Sequence, residues 1–565
     1  MILPGRICIA YGRLRGYLSA HLFAAPSAVC YQTFRSISLK LMIRRSLIGV
    51  VLAAGLVLAG VPAAAQTTAL QDPVLQRIWT EGMEKSQLYR LGQVLMDSIG
   101  PRLVGSPAME ASQEWIASTY ESWGISARHE PYGTWIGWER GITHVDLIEP
   151  RVRSLEGMML AWSPGTNGPV EGPVIAMPEF TDAEAFQAWL PQVRGAFVLI
   201  SFPEPTCRPD AAWEEYATPE TVRRLRAERA DAYEAWVRNL RRTGLTTQEL
   251  SKRLDEAGAA GVLSSSWTGG WGATRLFGTT NKRAPAVGLS CEDYGLVYRL
   301  AENNQNPVLR VETEARFLGE VPVSNTIGEI KGTEKPDEYV VLSAHLDTWD
   351  GASGATDNGT GTIIMMEAMR ILKEVYPNPK RTIIVAHWNG EEQGLNGSRA
   401  FSEDHPEIVE NMQVLLNQDN GTGRVGSLSM SGFTEAGRFF SRWLDQIPTE
   451  ITQHIEMEDP GAPASGGSDH ASFQCHGAPA IRLGSDYWDY RDYTWHTTRD
   501  TFDKISFDDV RSNAVLTAML AYLASEEPER IPRARISDAQ ASAGSGQQAA
   551  AWPDCRPATR SAEGR

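Results

Sequence analysis

Cysteine is scarce in this chain. There are six among 565 residues, and two of them, Cys8 and Cys30, lie near the N-terminus. The other four, Cys207, Cys291, Cys475 and Cys555, are scattered without CxxC spacing, which excludes a zinc ribbon and a dithiol redox motif. Three pairings of these four are open, and Cys207 with Cys291 is the first to test because both fall in one region. Positive charge is also in deficit. Lys and Arg number 53 against 69 Asp and Glu, a net charge of -16. The first 65 residues hold seven Lys/Arg and no acid, so the remainder carries -16 - 7 = -23. Such an acidic chain is a poor polyanion binder, and nucleic acid is not an expected partner. No internal repeat is visible.

The N-terminal region does hold one apolar run. From Met42 the chain reads MIRRSLIGVVLAAGLVLAGVPAAAQ. Arg44 and Arg45 precede an apolar stretch from Leu47 to Val61, and Ala63-Ala64-Ala65 forms a small-residue cleavage site. The competing reading, a membrane anchor, requires a longer span. Residues 1–65 therefore read as upstream residues plus a signal peptide. Translation is expected to start at Met42. The mature chain is expected to begin near Gln66, to be periplasmic or secreted, and to keep no stable membrane span.

Beyond the leader four regions differ in pattern. Residues 66–155 hold two helical segments, SQLYRLGQVLMDSIG and AMEASQEWIASTYESWG, around the loop PRLVGSP. Residues 156–320 hold short β-type runs (GPVIAM, GAFVLIS, GVLSSS, APAVGLS) between Gly and Pro, which predict a β-rich inserted domain. Within it, Pro219 to Arg242 reads as a solvated, charged helix. Residues 321–526 alternate buried strands (EYVVLSAHLD, RTIIVAHWNG, MQVLLNQD, APAIRLG) with amphipathic helices, ending in a helix from Phe507 to Ala524. That alternation predicts an α/β fold with a mostly parallel central sheet flanked by helices. Residues 527–565, rich in Ala, Gly, Ser and Gln, are expected to be a disordered tail.

Each predicted strand ends at or near a candidate metal ligand. The first ends at His345 and Asp347, and the following GATDNGTG turn holds Asp357. The second ends at Glu391-Glu392 and the third at Asp419. His496 lies beyond the fourth, in DYTWHTTRD. Ligands of open α/β sheets gather at the carboxyl ends of the strands. A lone histidine near a strand is usually structural, and His387, inside the second strand, reads that way. A set of carboxylates and imidazoles converging on one edge would be very costly without cations, and its donor types suit zinc.

These residues sit in HLDTWDGASGATDNGTG, WNGEEQGLNGSRAF, NQDNGTG, SGGSDHASF and TWHTTRDTFDKI. The ordered set strongly resembles the M28 family of di-zinc aminopeptidases and carboxypeptidases, over roughly Leu75 to Ala524. The WD after the first HxD and the segment IGPRLVGSP resemble the carboxypeptidase Q branch. The resemblance implies a zinc-exopeptidase fold with a protease-associated domain inserted, from Val170 to Phe317. It also implies two Zn2+ ions bridged by Asp357, one completed by His345 and Asp419 and the other by Glu392 and His496. Asp347 would accept the free N–H of His345. Glu391 would act as the base on a water shared by the metals. Tyr487 would donate to the oxyanion, and Asp469 and His470 would shape the pocket or its loop. A cis peptide at Asp357-Asn358 and a homodimer are further implications.

The expected function is an exopeptidase for dipeptides or short peptides, an aminopeptidase or dipeptidase rather than a carboxypeptidase, because an acidic site attracts a free amine. A carboxyl-end reader would need a cation, for which Arg482, Arg491 and Arg499 are candidates. The alternatives are a carboxypeptidase of the same family, a single-zinc glutaminyl cyclase, and a catalytically silent receptor. The retained ligand set speaks against the last two.

Overall fold

The computed structural model describes residues 71–419, 421–463, 466–537 and 552–562. The expected signal peptide, and with it the start at Met42 and the cleavage at Gln66, lies outside the described residues.

The four predicted strands form at Lys335–His345, Arg381–Trp388, Met412–Asn417 and Ala480–Ser485. Lys335–His345 runs parallel to both Arg381–Trp388 and Met412–Asn417, and the latter runs parallel to Ala480–Ser485. Side chains alternate across a strand, so both faces of these apolar runs must be covered. Val340 and Leu342 enter one core with Ile363, Leu372, Val515 and Leu520, from the helices Thr360–Val375 and Phe507–Glu526. Val341 enters the opposite core with Ile384, Phe401 and Phe473. The carboxyl edge of a sheet packed in this way is rigid, and all the candidate ligands lie along it or on adjoining loops.

Two long strands, Ser126–Glu149 and Val308–Ile330, pair antiparallel with several register shifts. Val308–Ile330 also pairs with Arg381–Trp388 at one end and with Val170–Ala176 at the other, so one ribbon carries the sheet into the middle of the chain. The middle region is not β-rich as expected. Val170–Ala176, Phe197–Leu199, Gly261–Ser264 and Ala286–Leu289 are short parallel strands, and helices such as Ala183–Trp189, Thr247–Ala257 and Cys291–Glu302 cover them. The β-type runs were visible in the sequence. The short helices between them, one opened by a Thr246–Glu249 capping box, supply the two separate cores above and below the strands.

The charged helix forms over Pro219–Thr243. It is solvated on most of its surface. It is pinned by the Trp236 indole, which donates to the Ile200 carbonyl, and by Asn239, which bonds to Phe180 and Pro178. Cys207 and Cys291 are joined, the pair singled out from sequence.

The tail departs from expectation. Cys555 is bonded to Cys475, and residues 552–562 lie against the peptidase part of the chain. Composition alone made this segment look structureless, since contacts supplied by distant residues leave no local pattern.

Candidate active site

His345 closes its strand fully buried. Its Nδ1 lies 2.9 Å from the Asp347 backbone oxygen, which fixes that N–H and turns Nε2 toward Asp419 Oδ1 at 3.3 Å and Asp357 Oδ1 at 3.4 Å. The Asp347 carboxylate was expected to take this N–H. It stands 3.7 Å away and instead accepts the backbone N–H groups of Glu391 and Glu392, at 3.1 and 3.2 Å. Its carboxylate therefore sets the turn that presents the two glutamates, while its carbonyl orients the histidine.

Asp357 sits in the turn before the helix Thr360–Val375, and the Asp357-Asn358 peptide is cis. Three supports hold this turn, none of them singled out from sequence. Asp500 accepts from the Thr356 and Asp357 backbone N–H groups at 2.7 and 3.0 Å, and from the Thr356 hydroxyl at 2.7 Å. Asn358 donates to the Gln418 carbonyl at 2.8 Å, tying the turn to the loop that carries Asp419. Arg102, fully buried, gives its guanidinium N–H groups to the carbonyls of Gly100, Leu346, Ser353 and Gly354. The PRLVGSP segment thus braces the end of the strand that carries His345 and the turn that carries Asp357.

His496 adopts a left-handed backbone, φ 61°. Its carbonyl accepts the Leu276 N–H at 2.8 Å, and its ring is packed by Trp495, Phe277 and Trp349. The middle region therefore helps to aim this imidazole. Its Nε2 lies 3.0 Å from Glu392 Oε2 and 3.1 Å from Asp357 Oδ2.

Two donor clusters result: His345 with Glu391 and Asp419, and His496 with Glu392 and Asp357. Asp357 Oδ2, Glu392 Oε1 and both oxygens of Asp469 are buried without a well-oriented hydrogen-bond donor. Among the described residues no Lys or Arg pairs directly with these carboxylates. Burial works against a charged His496, yet Glu392 and Asp357 outweigh it and push the imidazole up to about 10. Burial would raise Asp357 too, but His345 and His496 hold it well below the ordinary carboxylate range. The Glu392 and Asp469 carboxyls are each pushed up to about 7, chiefly by burial. A buried excess of acid with unsatisfied oxygens and two imidazoles is a cation-binding arrangement, and its nitrogen and oxygen donors fit zinc. A third grouping, Cys475, His476 and Cys555, has its sulfurs committed to a disulfide and is not a metal site in this form.

Tyr487 is about half exposed, and its phenol faces Asp492. In the same loop it is Tyr490 whose buried phenol is raised first by burial and then by Asp357 and Asp419. Three residues of separation in an irregular loop decide this, and no periodicity marks which ring turns inward.

Residues 325–521 match the domain described as peptidase family M28. The chain is similar to Carboxypeptidase Q of Bos taurus, 25% identical over 453 residues that span 80% of this chain and 88% of that protein. It is 24% identical to the Homo sapiens protein over the same shares. Leucine aminopeptidase 1 of Pyrenophora tritici-repentis is 31% identical over 216 residues, 35% of this chain and 55% of that one. The crystal structure of a Peptidase M28 precursor from Shewanella amazonensis shares the fold, with a TM-score of 0.59 at 23% identity, covering 81% of this chain and 97% of that one. Residues 325–521 thus carry a peptidase family M28 domain, and the chain is a metallopeptidase.

Proposed function

We propose that this peptidase is an exported, zinc-dependent exopeptidase that hydrolyses dipeptides or short peptides, acting from the amino end. The observation that carries the reading is the Asp357 carboxylate, whose two oxygens face different histidines, Oδ1 at 3.4 Å from His345 and Oδ2 at 3.1 Å from His496. His345, Asp419 and Asp357 would hold one zinc ion, and His496, Glu392 and Asp357 the other. Zinc bound there supplies Lewis acidity, which polarises the scissile carbonyl and makes water a better acid.

Glu391 is the residue left to move protons. It takes one from the attacking water and delivers it to the departing amine, so the charge on the glutamate is restored in each cycle. Burial raises its carboxyl well above the ordinary range, opposed by His345 and assisted by Asp419 and Asp469, which suits a group that must both accept and release a proton. Asp347 keeps the glutamate in place through the turn.

The acid excess favours a free amino group over a blocked one. The middle region, which by resemblance is of the protease-associated type, reaches the site through Leu276 and Phe277 and would narrow it for long chains. The names of the relatives, a carboxypeptidase and an aminopeptidase, both support action at chain ends. Two disulfides support an oxidising compartment. Among the described residues no helix is long and apolar enough to cross a membrane.

Elemental analysis of the purified protein is expected to find two zinc ions per chain, and chelation to stop hydrolysis of free peptides. N-acetylation of the same peptide should slow cleavage. A single tightly held metal in the active form would sink the two-ion reading, and internal cuts in a long blocked peptide would overturn exopeptidase action.

A further inference from the structure

A cavity of about 590 Å³ opens beside Glu391 and Glu392, and the C-terminal segment forms part of its wall through Pro553, Asp554, Cys555, Arg556 and Pro557. This segment is fastened along its length. Cys555 is bonded to Cys475. Upstream, the Trp552 ring packs edge-on against Phe433 and its indole donates to the Ile536 carbonyl. Downstream, the Ala558 N–H donates to Glu403 and the Thr559 N–H to Asn396. The Arg560 guanidinium grips Glu403 and Asp404 at 3.0 and 2.8 Å, and its carbonyl accepts from Thr134. Glu403 and Asn396 belong to the helix Asn396–Asp404, which follows directly on the Glu391-Glu392 turn. The strap and the catalytic turn are therefore tied to one element.

Two cations face this cavity. Arg399 lies on that helix and Arg556 on the strap, and both line the space that Glu391 and Glu392 border. Neither makes an ion pair with any described residue, whereas Glu403 is already engaged by Arg560. Burial, and then the positive charge of Arg556, make a charged Arg399 less comfortable than in water, and the nearby Asp469, Glu391 and Glu403 offset this only in part. An anion between the two guanidiniums could pair with both. The arginines considered from sequence are placed otherwise: Arg482 is exposed, Arg491 lies over the Trp495 ring, and Arg499 pairs with Glu156.

We infer that residues 552–562 form a disulfide-fastened specificity strap, and that its Arg556, with Arg399, makes a subsite for a carboxylate of the peptide substrate beside Glu391. The inference rests on the peptidase reading above and gives it a substrate class, short peptides bearing a negative charge on the residue that enters this cavity. That charge can come from the terminal carboxylate or from an acidic side chain. With the acidic cluster attracting the amine, a terminal carboxylate would make the free dipeptide the best-matched ligand.

The test uses the full-length, zinc-loaded protein and four probes: alanylalanine, alanylalanine amide, alanylglutamic acid α-amide and alanylglutamine α-amide. A charge-assisted contact to arginine is worth enough to change affinity by about tenfold or more. The wild type should therefore cleave alanylalanine at least about tenfold more efficiently than its amide, through KM more than kcat. If the glutamyl side chain is the true source, the α-amide pair will instead show that preference. Arg556→Ala and Arg399→Ala should each bring the acid-to-amide ratio toward one while leaving cleavage of the uncharged amides unchanged, and Arg399→Lys should restore part of it. The double variant Cys475→Ser/Cys555→Ser should lower the ratio part of the way toward that of Arg556→Ala, because Arg556 then loses the anchor beside it while the contacts of Trp552 and Arg560 remain. Equal cleavage of all four probes by the wild type, or a ratio kept in both arginine variants, overturns the subsite. A ratio kept in the double serine variant overturns the role of the tether. If no probe is hydrolysed, the peptidase reading fails, and equilibrium binding of the same acid and amide pairs still decides the subsite: binding with no preference for the charged member overturns it.

Discussion

Two regions of this molecule bury carboxylates, and they do so in opposite ways. Between the first helix of the described chain and the helix Thr360–Val375, Arg370 binds Glu81 at 2.7 Å and Glu367 at 2.8 and 2.9 Å. The Gln87 N–H and the Lys85 ammonium fill the remaining positions on these carboxylates. Burial opposes the Arg370 charge, and the two glutamates more than restore it. At the carboxyl edge of the sheet, by contrast, Asp357, Glu391, Glu392, Asp419 and Asp469 gather around two imidazoles, and several of their oxygens have no oriented donor. The first region is balanced within the chain and needs nothing more. The second is balanced only when cations are added. Buried acid is therefore not by itself a sign of function. The sign is buried acid whose charge and lone pairs the protein leaves unmatched.

The strongest test of that contrast is to remove acids from the unmatched side. Glu392→Gln should cost both metal and activity, since it takes a charged donor from the His496 cluster. Glu391→Gln should keep its metal and still lose at least about 10²-fold in kcat, the usual scale for a general base. Metal analysis and steady-state kinetics on the two variants separate ligand from base, and near-normal turnover in Glu391→Gln would refute the division of labour between these neighbours.

On the matched side, Arg370→Met should leave Glu367 buried without its cation and destabilise the fold by about 3–5 kcal/mol, as for other broken buried pairs. Denaturant unfolding would measure this, and zinc content should be unchanged. A loss below about 1 kcal/mol would mean that the network is as dispensable as an exposed ion pair. Chelation gives the complementary effect. Metal that binds only the folded protein stabilises it by about 2.7 kcal/mol at a free concentration one hundred times its Kd. Its removal should lower the melting temperature of the wild type and of Arg370→Met by similar free energies, because distant sites are additive. Unequal losses would show that the two regions are coupled.

The unmatched cluster was the more legible of the two in sequence. Most of its members stand at or just after the ends of apolar strands, at 340–342 and 383–386 among others, whose complete burial is written in their composition. The braces were not legible. Arg102, Asp500 and the Asp347 carboxylate act on backbone groups, and backbone acceptors have no signature in side-chain sequence. The strap was hidden for a different reason. The spacing of Cys475 and Cys555 says nothing of who pairs with whom, and an Ala- and Gly-rich neighbourhood masks the few residues, such as Trp552 and Arg560, that attach it. The middle region was misjudged because its short strands were easier to see than the short helices that cover them.

The histidines sharpen the same comparison at its smallest scale. His345 and His496 stand among carboxylates, whereas His387, in the neighbouring strand, is fully buried with the Tyr120 hydroxyl 2.7 Å from Nε2 and no acid beside it. Burial alone pushes its imidazole down to about 3, so it stays neutral in the folded protein at any ordinary pH. The unfolded chain has the usual value near 6.5. Between these limits the unfolded state binds a proton that the native state refuses. The stability that His387 contributes is therefore complete above about pH 6.5 and is lost as pH falls toward 3, at a slope approaching about 1.4 kcal/mol per pH unit. In His387→Gln, which stays neutral and can still meet the tyrosine, that component should vanish. Urea unfolding of both proteins from pH 7 to pH 4.5 would then give curves that converge as the solution is acidified, whatever the other carboxylates contribute to each. Parallel curves would mean that His387 is protonated in the native protein and that its site is more polar than its packing implies.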